Sequence, residues 1–245
     1  MKRRTLFWWL YQPYKWLILA PVVFLSTLFF GNLALVLRLF VDARVASRWS
    51  AVPWARLNSW LTPMRVRVEG RDLVDPNQSY VLVSNHQSHY DVFVLYGWLG
   101  VDFKWVMKQE LRRVPGLGAA CERLGHIFID RSNHQAALAS LEAAKERIVD
   151  GTSVMFFPEG TRSPDGKLMS FKRGAFRMAL DLGLPILPLT VIGTRDVLSP
   201  RSVDLMPGSV LLLIHPSIPT GGLTNEDLPR LMGEVRDVIA SALPE

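Results

Sequence analysis

Residues 80–91 read Tyr80-Val81-Leu82-Val83-Ser84-Asn85-His86-Gln87-Ser88-His89-Tyr90-Asp91. The run from Tyr80 to Ser84 is apolar without alternation, the pattern of a strand buried on both faces. Polar residues follow at once, and Val92 to Leu99 is apolar again, as a helix. Strand, turn and helix in immediate succession are the repeating unit of an α/β layer architecture.

The same texture extends both ways along the chain. Upstream, Arg65-Val66-Arg67-Val68-Glu69 alternates as a half-exposed strand ended by Gly70. Downstream, Phe103 to Val106, His126 to Ile129, Val154 to Phe157, Ile186 to Val191 and Val210 to Ile214 read as further strands. Ala137, Leu138, Leu141, Ala144 and Ile148 sit at helical spacing within 133–150, with Gly151 past the end. Gly174 to Leu182 is a second helix, and Asn225 to Leu243 closes with an amphipathic one. Residues 163–169 (SPDGKLM) read as a plain turn, and there is no internal repeat or low-complexity tract.

Composition narrows the function classes. The chain has 245 residues, 49% hydrophobic and 20% charged, which excludes a disordered chain and suits one large domain or two small ones. Cys121 is the one cysteine, so there is no disulfide framework and no thiolate metal cluster. A mean hydropathy of +0.17 is high for a soluble enzyme and points to contact with lipid. The net charge of +6 admits nucleic acid, an anionic membrane or a phosphorylated substrate as partner.

The position of that charge separates these options. Residues 1–60 hold Lys2, Arg3, Arg4, Lys15, Arg38, Arg44, Arg48 and Arg56 against Asp42 alone, a net of +7. The remainder is net −1, which argues against nucleic acid. Trp16 to Leu37 is an uncharged run that would reach roughly 33 Å as a helix, about one bilayer core. Basic residues flank it on both sides, so the positive-inside rule assigns no orientation. Pro13, Pro21 and Gly31-Asn32 offer places to break the helix. Six of the eight tryptophans (Trp8, Trp9, Trp16, Trp49, Trp54 and Trp60) lie here, beside Arg and Lys, as at a membrane interface. The favoured reading is a helical hairpin held in or on one leaflet, ahead of a single span or a buried hairpin. The chain thus divides into membrane-anchoring helices over 1–62 and an α/β domain over 63–245.

Three segments carry candidate chemistry. His86 and Asp91 are five apart, which on one helix would point them about 140° apart. They meet only if His86 precedes the helix and Asp91 opens it. A carboxylate on one imidazole nitrogen then makes the other a general base, although the spacing equally suits a capping pair. No G-x-S-x-G elbow is present, and no third ligand joins His86 and His89 to make a metal site. In Phe157-Pro158-Glu159-Gly160-Thr161-Arg162-Ser163, Gly160 lets backbone approach a ligand and Arg162 can fork onto phosphate. A basic cluster follows at Lys167, Lys172, Arg173 and Arg177. Gly125 to Arg131, with Lys108 upstream, can bring two more cations to the same edge or form a surface ion-pair network.

Taken together and in this order, these segments resemble the lysophospholipid acyltransferase family. Asn85, His86 and Asp91 match its N-H-x4-D motif, Gly125 to Arg131 its second, and Phe157 to Ser163 its third. Ile186-Leu187-Pro188 is similar to its fourth. The resemblance covers about residues 64–215. It implies a glycerolphosphate-acyltransferase-like mixed sheet flanked by helices, with His86 as general base and Asp91 orienting it. Glu159, Gly160, Thr161 and Arg162 would hold the glycerol phosphate, Arg131 and Lys108 would add charge, and Pro188 would shape the acyl-donor region.

The implied reaction is acyl transfer from acyl-CoA or acyl-carrier protein to the sn-2 hydroxyl of 1-acyl-sn-glycerol 3-phosphate, giving phosphatidic acid in phospholipid biosynthesis. No metal, cofactor or acyl-enzyme is required. The implied partners are an anionic bilayer surface, lysophosphatidic acid and the acyl donor, at the cytoplasmic face of an inner membrane. Rival readings are another lysolipid acceptor, a thioesterase-like hydrolase, a covalent route through Cys121 and a non-enzymatic adaptor.

Overall fold

The unalternating apolar runs become interior strands in the computed structural model, which describes residues 6–244. The strands are β1 (Met64–Glu69), β2 (Val81–Ser84), β3 (Asp102–Lys108), β4 (Ile127–Ile129), β5 (Thr152–Phe156), β6 (Ile186–Ile192) and β7 (Gly208–Ile214). The α-helices are α1 (Leu6–Tyr14), α2 (Ala20–Leu37), α3 (Ala43–Leu61), α4 (Asp91–Trp98), α5 (Gly118–Arg123), α6 (His134–Glu142), α7 (Gly174–Leu182), α8 (Thr194–Val197) and α9 (Leu228–Ser241).

The strands form one sheet in the order β1-β7-β6-β2-β5-β3-β4, in which the β6–β7 pair is antiparallel and every other pair parallel. Successive residues of β2 face opposite cores. Val81 and Val83 join Phe176 of α7 and Leu231 of α9, while Leu82 joins Val94 and Leu95 of α4. β5 does the same, with Val154 and Phe156 on one side and Met155 on the other. Helices on both faces explain why these strands carry no polar alternation. Val83 pairs with Phe156, so β2 and β5 leave the sheet side by side at their carboxyl ends. The crevice beyond that edge is where open α/β sheets place ligands.

The amino-terminal helices differ from expectation in where they break. Leu6–Leu37 is one helical run, 32 residues long. Pro13 and Pro21 flank a π-helical turn, Lys15–Leu19, and do not end the helix. The turn contains Leu17, four residues before Pro21, so its wider winding accommodates the missing N–H and the ring of Pro21. Gly31 does not break the helix either. A Cβ there would lie 2.1 Å from the Gly116 carbonyl oxygen, so the glycine admits the loop before α5. The chain turns at residues 38–42, where Asp42 caps α3 by accepting from the Arg44 and Val45 amides. Lys2, Arg3 and Arg4 lie outside the described residues.

α2 and α3 pack as a hairpin, joined by Ser26 Oγ to Asn58 Oδ1 (3.1 Å) and Trp54 Nε1 to Thr27 Oγ1 (3.1 Å). α3 in turn lies on α4, where Arg56 Nε donates to the Gly97 carbonyl (2.8 Å). Leu17, Phe24, Leu25 and Phe29 on the long helix stay exposed, as do Leu39 and Phe40 at the turn. Exposed large apolar side chains of this kind suit a lipid contact.

One helix is shorter than its periodicity suggests. The 133–150 segment splits into α6 and a 3-10 turn, Lys145–Arg147. Lys145 pairs with both Glu142 and Asp181, and Asp150 and Gly151 adopt positive φ to reverse the chain into β5. A helix running to 150 would leave no residues for that reversal.

Candidate active site

Two loops at the carboxyl ends of β2 and β5 build the site. Asn85 extends the sheet with its side chain, donating to the Val191 carbonyl (2.9 Å) and accepting from the Val191 amide (2.8 Å). His86 follows, outside the sheet, and Asp91 opens α4. This is the strand–turn–helix placement under which the two side chains meet, and His86 Nδ1 lies 2.7 Å from Asp91 Oδ2.

Asp91 is fully buried. Its Oδ2 also accepts the Gln87 and Ser88 amides (2.8 and 2.9 Å), and its Oδ1 accepts the Thr194 hydroxyl (2.5 Å). An ionised carboxylate is acceptor-only and takes all four donors. The hydrogen between His86 and Asp91 therefore sits on Nδ1, and Nε2 is the ring nitrogen free of the carboxylate. The Phe157 ring stacks on the imidazole at 3.8 Å between centroids and 10° between planes, and stacks in turn on Trp105. The imidazole is thus held at its edge by a carboxylate and on its face by an aromatic ring.

The second loop is tied to the first. Glu159 is buried; its Oε1 accepts the His86 amide (2.7 Å) and its Oε2 the Met169 amide (2.9 Å). The Ser163 amide donates to the His86 carbonyl (2.8 Å). Burial raises the Glu159 pKa, opposed by those two amides. Both Glu159 oxygens are thus engaged. Glu159 therefore braces the two loops against each other. Residues 163–169 are likewise more than a plain turn. Gln87 Nε2 donates to the Gly166 carbonyl (3.0 Å), and Ser163 Oγ to the Lys167 carbonyl (2.7 Å).

The expected cations divide into two groups. Arg131 Nη1 donates to the Gly160 carbonyl (2.5 Å), bringing the second segment onto the third. Arg162 Nη1 is buried without a hydrogen-bond partner. Such an orphaned guanidinium nitrogen is costly unless an anion completes it. Gly160 has φ +76° and Thr161 is exposed on the same loop. Lys108, however, is exposed and paired with Glu110 (2.8 Å), so it belongs to the surface ion pairs. Pro188 is buried within β6 beside Val83, its carbonyl accepting from the His215 amide (3.1 Å).

Sequence reasoning missed Thr194 and the use made of Phe157. Phe157 was visible inside its motif, but nothing local signals that its ring covers His86. Thr194 is 103 residues from Asp91 and belongs to none of the four motifs. Cys121 is buried, and burial pushes its thiol up to about 12, away from the thiolate a nucleophile needs.

A family model described as Acyltransferase matches residues 65–192. The chain is 34% identical over 187 residues to the 1-acyl-sn-glycerol-3-phosphate acyltransferase alpha of Homo sapiens, covering 76% of this chain and 66% of that protein. A 1-acyl-sn-glycerol-3-phosphate acyltransferase of Chlamydomonas reinhardtii is 34% identical over 182 residues, 74% of this chain and 53% of that one. The chain thus spans about half to two thirds of the length of these curated relatives. Its fold is similar to the crystal structure of the 1-acyl-sn-glycerophosphate (LPA) acyltransferase PlsC from Thermotoga maritima. The TM-score is 0.79 at 27% identity, covering 92% of this chain and 91% of that one.

Proposed function

Since the chain belongs to the acyltransferase family, we propose that it esterifies the sn-2 hydroxyl of 1-acyl-sn-glycerol 3-phosphate, giving phosphatidic acid. The donor is a thioester, acyl-CoA or acyl-carrier protein. The observation that carries this reading is a histidine with Nδ1 on a buried carboxylate and Nε2 unoccupied, on a loop tied to one holding an unpartnered arginine nitrogen.

In this reading His86 Nε2 takes the proton of the acceptor hydroxyl as its oxygen attacks the thioester carbonyl. The tetrahedral intermediate collapses, the C–S bond breaks, and the thiolate leaves with the proton returned from Nε2. Asp91 fixes the tautomer and steadies the imidazolium between the two transfers. Arg162 and Arg131 hold the phosphate, with the Gly160 and Thr161 backbone beside it. Arg162, with no hydrogen-bond partner on Nη1, is the better placed of the two cations.

The exposed apolar helix and turn support anchorage to a membrane, where a lysolipid acceptor resides. The basic α3, with exposed Arg44, Arg48 and Arg56 and exposed Trp49 and Trp60, suits an anionic head-group layer. The cytoplasmic leaflet is the side on which acyl-CoA and acyl-carrier protein are present.

The test is the purified full chain with lysophosphatidate and each donor in turn, products read by mass. Phosphatidic acid with release of one thiol per ester is expected. Free fatty acid as the main product, or preference for a lysolipid without a phosphate monoester, refutes the assignment.

A further inference from the structure

Lys172 lies outside every motif, yet the fold delivers its ammonium to the centre of the second loop. Its backbone amide donates to the Pro158 carbonyl (2.8 Å), which pins the segment alongside that loop. From there the side chain runs across Gly160. A Cβ on Gly160 would lie 2.8 Å from Lys172 Nζ and 2.8 Å from its Cε. Gly160 is thus approached by two cations, since its carbonyl also accepts Arg131 Nη1. Arg162 follows two residues later with its unpartnered nitrogen.

The electrostatics of this cluster are one-sided. Glu159 is the acid adjoining the loop, and both its oxygens face backbone amides. Among the described residues, no carboxylate lies within ion-pair distance of Lys172, Arg131 or Arg162. A surface lysine without a partner ordinarily points into water. Lys172 is exposed, and its ammonium lies over a glycine whose carbonyl already holds a second cation, an arrangement that is repulsive until an anion neutralises it.

We propose that Lys172 is a third phosphate-binding residue, which closes over the Gly160 backbone and holds the phosphate monoester of the acceptor together with Arg162 and Arg131. The proposal rests on the acceptor assignment given above and extends it. The ammonium occupies the space that a side chain at residue 160 would enter. Gly160 itself is set by its left-handed backbone, φ +76°.

The experiment compares the full chain with Lys172→Gln and Lys172→Arg in detergent. Calorimetric binding of lysophosphatidate is read alongside steady-state acylation of lysophosphatidate and of 1-monoacylglycerol. Loss of one charge-assisted contact predicts that Lys172→Gln weakens lysophosphatidate binding and raises its KM about tenfold. The expected kcat stays within about twofold, 1-monoacylglycerol is unaffected, and Lys172→Arg recovers most of the affinity. Equal lysophosphatidate affinity in wild type and Lys172→Gln overturns the proposal. So does an equal loss toward both acceptors, or a lowered melting temperature that Lys172→Arg does not restore, since either marks a structural role. Failure of the wild type to bind or acylate lysophosphatidate refutes the acceptor assignment itself, whatever the variants do.

Discussion

Thr194→Val isolates one bond of the site. Valine keeps the branched shape and removes only the hydroxyl that donates to Asp91 Oδ1 at 2.5 Å. Both groups are fully buried, so water cannot take its place. A hydrogen bond to a charged group contributes about 1.5–3 kcal/mol, and losing it leaves one of four donors to Asp91 missing. The carboxylate then turns more freely about its remaining partners, all on Oδ2. If the whole of that energy appears in the transition state, kcat falls roughly 10- to 150-fold. KM for the acceptor should stay within about twofold, because Thr194 acts through Asp91 and not through the phosphate cations. The same energy corresponds to a melting shift of roughly 3–12 °C in a chain of this size. Thr194→Ser restores the donor and most of the rate. The assay is steady-state acylation with thiol release followed continuously, beside a thermal melt. Wild-type kcat in a stably folded Thr194→Val would show that Asp91 needs no support on Oδ1, and would refute the bracing role of the hydroxyl.

Four further outcomes are expected. His86→Ala abolishes transfer while leaving the melting temperature near wild type; robust transfer removes the base assignment. Arg162→Ala raises the KM for lysophosphatidate about tenfold or more and leaves thioester hydrolysis unchanged; an unaltered KM counts against phosphate binding. Cys121→Ala retains full kcat, and a folded but inactive variant would reopen the covalent route. His126 makes stability acid-sensitive. Its Nδ1 accepts the Trp105 amide and its Nε2 meets Tyr96 Oη, and burial, then Lys104, lowers its pKa to about 3. The unfolded chain binds this proton near pH 6.5 and the native chain does not, so stability is full above that pH and declines below it. About 2 kcal/mol is lost by about pH 5. Urea midpoints at the two pH values, compared with those of His126→Gln, measure it; an equal drop in both chains refutes the assignment.

The sheet was legible because its strands are buried on both faces, and burial leaves a mark in each residue. Val81, Val83 and Leu82 are apolar whichever side they face. The His86–Asp91 pair was legible because both partners lie within a single turn. What escaped depends on long-range placement. Thr194 reaches Asp91 across the sheet, and the motif around Glu159 does not show its two amide partners. Sequence position likewise does not reveal the Glu110 partner of Lys108 or the burial of Pro188 in β6. The long helix runs through Pro21 because a π turn precedes it, a local adjustment that residue type does not disclose.

That helix is fastened along its length. Lys15, buried in the π turn, donates to the Val203 carbonyl (3.1 Å), and the Tyr14 hydroxyl to the Leu61 carbonyl (2.7 Å). Further on, Gly31 seats against Gly116. An anchor joined at one end lets its cargo tumble, whereas one joined at three points transmits its own tilt. On the proposed anchorage, the height of His86 above the lipid becomes a fixed property of the fold, and the proposed acceptor, diffusing in the plane of the leaflet, would meet the histidine at one constant elevation.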